Sequence, residues 1–223
     1  RWSTFPEYHK TCEYCKRVLE ENGTSDVELV EVPADGRTKY GDWVMPLAWD
    51  AGEATLELVE PQVPSQSRVL ARRLDVPNAL VMWSAPTPPS GVEGQVLALQ
   101  TGTAEECANL DLEGRIVLTP RDPRGIKAVV AKKGGLGIVS DFARNQALRE
   151  ATFWVNGWSD NPGAWMMTAH DSRLFGFSLS PSRGAYLRGL LRNHASVVLR
   201  AKVDSRLYQG TLPYVTGVIR GTT

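Results

Sequence analysis

A strand, a helix and a second strand are written into residues 110–141 with little room for another reading. The run Arg115, Ile116, Val117, Leu118, Thr119 is apolar and β-branched and is closed by Pro120, which predicts a buried strand. After a short loop, residues 126–133 space their apolar side chains at helical intervals, and residues 136–140 form a second apolar run. Gly134 and Gly135 stand where a helix needs a left-handed residue to stop, and Gly114 stands in the turn that launches the first strand. The Gly-Gly-Leu-Gly at residues 134–137 could be mistaken for a phosphate loop, but nucleotide loops follow a strand and open a helix, whose N-terminus supplies the anion site. These glycines close a helix and open a strand.

The unit resembles the core of the protease-associated domain, on Asp111, Gly114, Arg115, Ile116, Val117, Leu118, Ala131, Gly134, Gly135, Gly137, Ile138 and Val139. It departs in having Arg115 for the commoner Lys and Gly135 for the commoner Ala, and neither changes what the backbone must do. The resemblance implies an α+β fold: a β-rich sandwich or open barrel with peripheral helices.

The chain has 223 residues, long enough for one large domain or two small ones. Lys plus Arg number 25, as do Asp plus Glu, so no net field recruits nucleic acid or an anionic membrane. No window approaches the roughly 20 apolar residues of a spanning helix, and the first residues lack the layout of a signal peptide. Three cysteines cannot build a disulfide framework, which points to a reducing compartment unless a leader preceded Arg1. Cys12 and Cys15 lie in a helical pattern and read as two half-buried thiols; a zinc knuckle would need ligands that only Cys107, His9, His170 and His194 remain to supply.

Taken in order, Thr4, Pro6 and Glu7 predict a helix start with a capping box, and Gly23 predicts its stop. Tyr8, Cys12, Cys15 and Leu19 form its core-facing stripe. Residues 27–32 alternate as a strand ended by Pro33, and residues 39–50 read as an aromatic-rich ordered loop with short extended pieces. Strands are expected over 54–59, 79–83, 94–100, 175–180, 196–203 and 214–221, a short helix or irregular stretch over 63–73, and one helical turn over 103–109. Residues 143–150 are compatible with a helix, and Pro181 after Ser180 starts another. Residues 152–168 carry Phe153, Trp154, Trp158 and Trp165 among turn formers, either as a core plug or as a contact surface.

The order helix, strand, aromatic loop, inserted domain and strand resembles the opening of the co-catalytic di-zinc aminopeptidases. The matching pieces are residues 4–23, 27–32, 43–50 and the return strand from Tyr214. On that resemblance, residues 1–50 are the amino-terminal helix and strand of a peptidase domain, 51–207 the protease-associated insert, and 208–223 the return strand, the chain stopping before the catalytic half. The family's His-x-Asp, bridging Asp and Glu-Glu motifs have no match here, so no catalytic or metal residue is assigned and the two zinc ions belong to the parent peptidase. His170 and Asp171 read as a surface dipeptide. The implied partners are a carboxyl-terminal peptidase domain and a peptide or protein substrate, and the candidate contact residues are Trp154, Trp158 and Trp165. A stand-alone interaction module is the alternative. The insertion reading makes one topological demand: residues 27–32 and 215–220 must pair as antiparallel neighbours.

Overall fold

In the structure, a computed structural model that describes residues 4–145 and 147–221, the chain divides into two units. The first holds the residues up to Asp50, those from Leu207, and Thr168–His170; the second holds Ala51–Met167 and Asp171–Arg206.

The first unit opens with helix α1, Phe5–Glu21. Thr4 takes the N-cap backbone position at φ −130°, but its side chain makes no capping bond, so the expected capping box does not form; Pro6 in the first turn and the bond from Tyr8 N to Thr4 O carry the start. The stop is as expected. Gly23, at φ +80°, donates to Glu20 O, and Thr24 donates to Leu19 O, the paired bonds of a Schellman closure.

The face that packs differs from the expected one. Phe5 and Cys12 are buried, whereas Cys15 is exposed and Leu19 is 36% exposed. At 100° per residue the inner stripe runs through Phe5, His9, Cys12 and Lys16, rotated roughly 60° from the predicted one. Polar anchors decide it: His9 Nε2 donates to Thr211 O at 2.9 Å and Cys12 Sγ to Pro213 O at 3.5 Å.

Both acceptors lie on strand β11, Gly210–Val218, which pairs antiparallel with β1, Ser25–Ala34. The demanded pairing is present, with Leu29 opposite Val215. Pro33 does not end β1. It sits opposite Thr211, and Pro213 sits opposite Glu31, two residues away. Both prolines thus fall in the same alternate set of pairs, the set in which a two-stranded ladder asks for no cross-strand N–H. A small hairpin, β2 (Lys39–Tyr40) and β3 (Trp43–Val44), completes the unit.

The second unit is built on a seven-stranded sheet. Its strands are β4 (Ala48–Glu60), β5 (Val69–Arg72), β6 (Val92–Ala98), β7 (Arg115–Thr119), β8 (Gly137–Ser140), β9 (Phe175–Ser178) and β10 (Val198–Tyr208). Their spatial order is β5-β4-β10-β6-β7-β8-β9. β6 to β9 run parallel, while β5 on β4 and β10 on β6 are antiparallel, so the fold is α+β with a mixed sheet. The helices are α2 (Ser65–Arg68), α3 (Ala104–Ala108), α4 (Lys127–Lys132) and α5 (Pro181–Asn193). The β7-α4-β8 unit is the one expected: Ile116, Val117, Leu118, Ile138 and Val139 are fully buried, and Gly134, at φ +72°, ends α4. Ser180 caps α5 by accepting from Arg183 N.

Two expected elements are absent. Residues 79–83 are not a strand: a 3-10 turn at Pro77–Ala79 leads to a single bridge, Leu80 to Phe177, and Trp83 stands at φ +62°. There Val81 N donates to Gly176 O and Ala85 N to Leu174 O, and between them the buried Ser84 hydroxyl donates to Val81 O and accepts from Gly176 N. No helix forms among the described residues of 143–150, because the Asn145 side chain accepts from Ala147 N and ties the backbone into turns.

Candidate functional site

Residues 152–167 hold no regular structure, so their shape depends on side chains that satisfy the backbone. Lys127, the first residue of α4, supplies the anchor. Its side chain is fully buried; Nζ lies 2.5 Å from Asp160 Oδ1, donates to Ser172 O at 2.8 Å, and sits 5.7 Å from the centre of the Trp158 ring. Asp160 Oδ2 accepts from both Ser172 N and Ser172 Oγ at 2.8 Å, while Asp171 Oδ1 accepts from Asp160 N at 2.6 Å and Ser159 Oγ at 3.0 Å. Burial lowers the Lys127 pKa, with Asp160 pulling the other way. For Asp160, burial pushes the pKa up, but the Lys127 and Ser172 donors outweigh it and leave the carboxyl below its usual value.

This network was missed in the sequence, where Lys127 reads as one more polar residue of an amphipathic helix. Asp171 is also not a surface residue of the kind expected: His170 is exposed, but the Asp171 carboxylate is a structural acceptor.

The structure separates the three candidate indoles. Trp158 is fully buried and its Nε1 donates to Leu174 O at 2.8 Å, which makes it a core plug and removes it from any contact surface. Trp165 is 51% exposed. Trp154 is half-buried and lines a cleft.

That cleft opens beyond the carboxyl ends of the parallel strands. Thr119 at the end of β7 and Ser140 at the end of β8 lie side by side, so the chain leaving each strand begins one strand spacing from the other. Ser140 Oγ donates to Arg121 O at 2.8 Å and Phe142 N donates to Ser140 Oγ, which knits the two loops together. A cavity of about 450 Å³ results, walled by Arg124, Arg144, Leu148, Phe153 and Trp154 among others. Phe142 packs edge-on against Phe153 at 4.9 Å, and the Arg144 guanidinium lies 5.5 Å from the Phe153 ring centre. A second cavity of about 480 Å³, lined by Arg121, Asp122 and Arg124, shares Arg124 with the first. The Asp122 carboxylate grips Arg124 at Nε (3.0 Å) and Nη2 (2.6 Å), and these bonds raise the Arg124 pKa. Among the described residues no three His, Cys, Asp or Glu side chains are gathered as a metal site would gather them.

No protein-family model and no curated protein matches the chain. Solved structures do. A peptidase M28 precursor from Shewanella amazonensis matches with TM-score 0.61 at 14% identity, over 93% of this chain and 44% of its own. BSAP, a zinc aminopeptidase from Bacillus subtilis, matches with TM-score 0.61 at 12% identity, over 96% and 42%. An aminopeptidase from Aneurinibacillus sp. strain AM-1 matches with TM-score 0.54 at 17% identity, over 94% and 41%. This chain therefore shares a fold with somewhat less than half the length of these structures.

Proposed function

We propose that this chain is the non-catalytic front portion of a zinc-dependent aminopeptidase, with residues 51–207 acting as a protease-associated insert that caps the active-site cleft and helps select the substrate. The similarity to aminopeptidase structures over nearly the whole chain supports the reading. The observation that carries it is the β1–β11 ribbon. Val27, Leu29, Val30, Val32, Leu212 and Val215 are only half-buried there, and Tyr214 and Val218 are each 45% exposed. Two strands and one helix cannot dry that many apolar side chains, and an isolated two-stranded sheet is marginal in water. A further sheet laid beside the ribbon would cover them, and a peptidase sheet is the partner this reading supplies.

The test is metal and activity. The 223-residue chain alone, dialysed against micromolar zinc, should neither retain stoichiometric metal nor hydrolyse aminoacyl anilides, since the co-catalytic ligand set has no match in its sequence. Two tightly held zinc ions per chain would overturn the proposal.

A further inference from the structure

We propose that the two cavities flanking Arg124 bind an extended acidic peptide segment, with an apolar side chain seated against Phe153 and Trp154 and neighbouring carboxylates paired with Arg144 and Arg121. The inference deepens the reading above, in which this unit selects peptides, by naming the peptide's chemistry.

Charge is the first argument. The cavity walled by Phe153 and Trp154 is lined by two arginines and no carboxylate, and its neighbour by two arginines and one carboxylate, Asp122, which is already held by Arg124. Three further acids close to these loops are engaged, while Glu150 and Glu105, each next to a lining residue but not itself in either wall, are exposed. Asp141 is gripped by Arg188 at 2.6 and 3.0 Å, Asp160 by Lys127, and Glu106 accepts the N–H groups of Gln100, Thr101 and Gly102. Among the residues lining the two cavities, the exposed guanidiniums of Arg121 and Arg144 are therefore the available charges, in a protein whose overall charge is balanced.

Shape is the second. The Arg144 guanidinium lies over the Phe153 ring, a contact that restrains the side chain, so less rotamer freedom is lost when a carboxylate meets its fork. Phe153, Trp154 and the 57% exposed Leu148 give the first cavity apolar walls against which a side chain can seat. The Asn145 and Asn156 side chains stand at the same cavity and offer amide groups to an extended backbone.

The probe is a fluorescein-labelled hexapeptide Gly-Glu-Glu-Phe-Glu-Gly, titrated by anisotropy against the 223-residue chain, with its Lys-for-Glu counterpart as the control. The expected result is saturable binding of the acidic peptide, weakened by salt, with no saturation by the basic one. Arg144→Gln should weaken binding about fivefold, the worth of one exposed guanidinium–carboxylate pair, and Trp154→Ala should weaken it at least as much. Arg68→Glu, a larger charge change on exposed α2, should leave it unaltered. Where Trp154→Ala lowers the melting temperature, Trp154→Phe reads the same contact. Equal binding of the two peptides, or equal losses from Arg144→Gln and Arg68→Glu, overturns the site. So does competition by millimolar inorganic phosphate that abolishes binding while the Phe-to-Gly peptide binds unchanged, since that marks a simple anion site. None of these results bears on zinc content or hydrolysis, so failure here leaves the aminopeptidase reading standing.

Discussion

Removing Asp160 should cost more than removing the lysine it pairs with. In Asp160→Ala the Lys127 ammonium stays fully buried, with Ser172 O as its remaining hydrogen-bond partner, and Ser172 N and Oγ lose their acceptor. Breaking a buried pair from one side costs about 3–5 kcal/mol, a large part of the 5–15 kcal/mol available to a typical domain. Lys127→Met instead removes the buried charge, keeps a linear chain beside the Trp158 ring, and leaves Asp160 with Ser172's two donors and 28% of its side chain open to water. That loss should be about 1–2 kcal/mol. The double variant, with no orphaned charge, should be about 2 kcal/mol more stable than Asp160→Ala alone. Urea unfolding followed by near-ultraviolet circular dichroism reads all three. With a slope of about 2 kcal/mol per molar urea, Asp160→Ala should lower the midpoint by about 1.5–2.5 M and Lys127→Met by under about 1 M. A double variant no more stable than Asp160→Ala, or a lysine variant worse than the aspartate one, would refute the assignment of Lys127 as the buried cost in this network.

Trp158→Ala should lose about 3–5 kcal/mol in the same assay and Trp165→Ala under about 0.5, because one indole is fully buried and the other is half in water. Gly137→Ala should lose at least about 2 kcal/mol of stability by thermal melting, since a Cβ there would stand 2.3 Å from the Phe175 ring. For Glu106, burial pushes the pKa up, but the donors from Gln100, Thr101 and Gly102 win and hold the carboxyl at about 2, below its ordinary 4.5. Its contribution is therefore present above pH 4.5 and is lost as pH falls through about 2. After solvent screening that is about 1 kcal/mol, and urea midpoints measured from pH 5 to pH 2 should fall less steeply in Glu106→Gln than in the parent.

What was legible in the sequence follows from where one physical signal dominates. The β7-α4-β8 unit is apolar throughout its strands and punctuated by glycine, so local pattern and burial agree. The pairing of β1 with β11 across the intervening unit was legible because each strand alone would leave its ladder open. The face of α1 was misread because apolarity chose Leu19, while the packing is set by bonds from His9 and Cys12 to β11 carbonyls. Residues 79–83 look like a strand by composition, and it is distant contacts of Val81, Ser84 and Ala85 with residues 174–176 that hold them in a turn. Lys127 and Asp160 are 33 residues apart and Asp160 and Asp171 are 11 apart, with no periodicity to join them. A buried ion pair of this kind leaves no trace in a hydrophobic pattern.

The arginine cleft was illegible for a related reason. Parallel pairing aligns the carboxyl ends of β7 and β8, but a helix must intervene, so residues that leave the sheet together are about twenty positions apart in the chain. Arg121 and Arg124 lie two and five residues beyond Thr119, and Arg144 lies four beyond Ser140. Read along the chain, they are single charges in loops of mixed sign. Read across the Thr119–Ser140 register, they line two adjoining cavities, and the nearby carboxylates of Asp141 and Asp160 point into pairs of their own with Arg188 and Lys127. The parallel sheet thus does for charge what it does for apolar side chains: it gathers, at one edge, groups that the chain itself keeps apart.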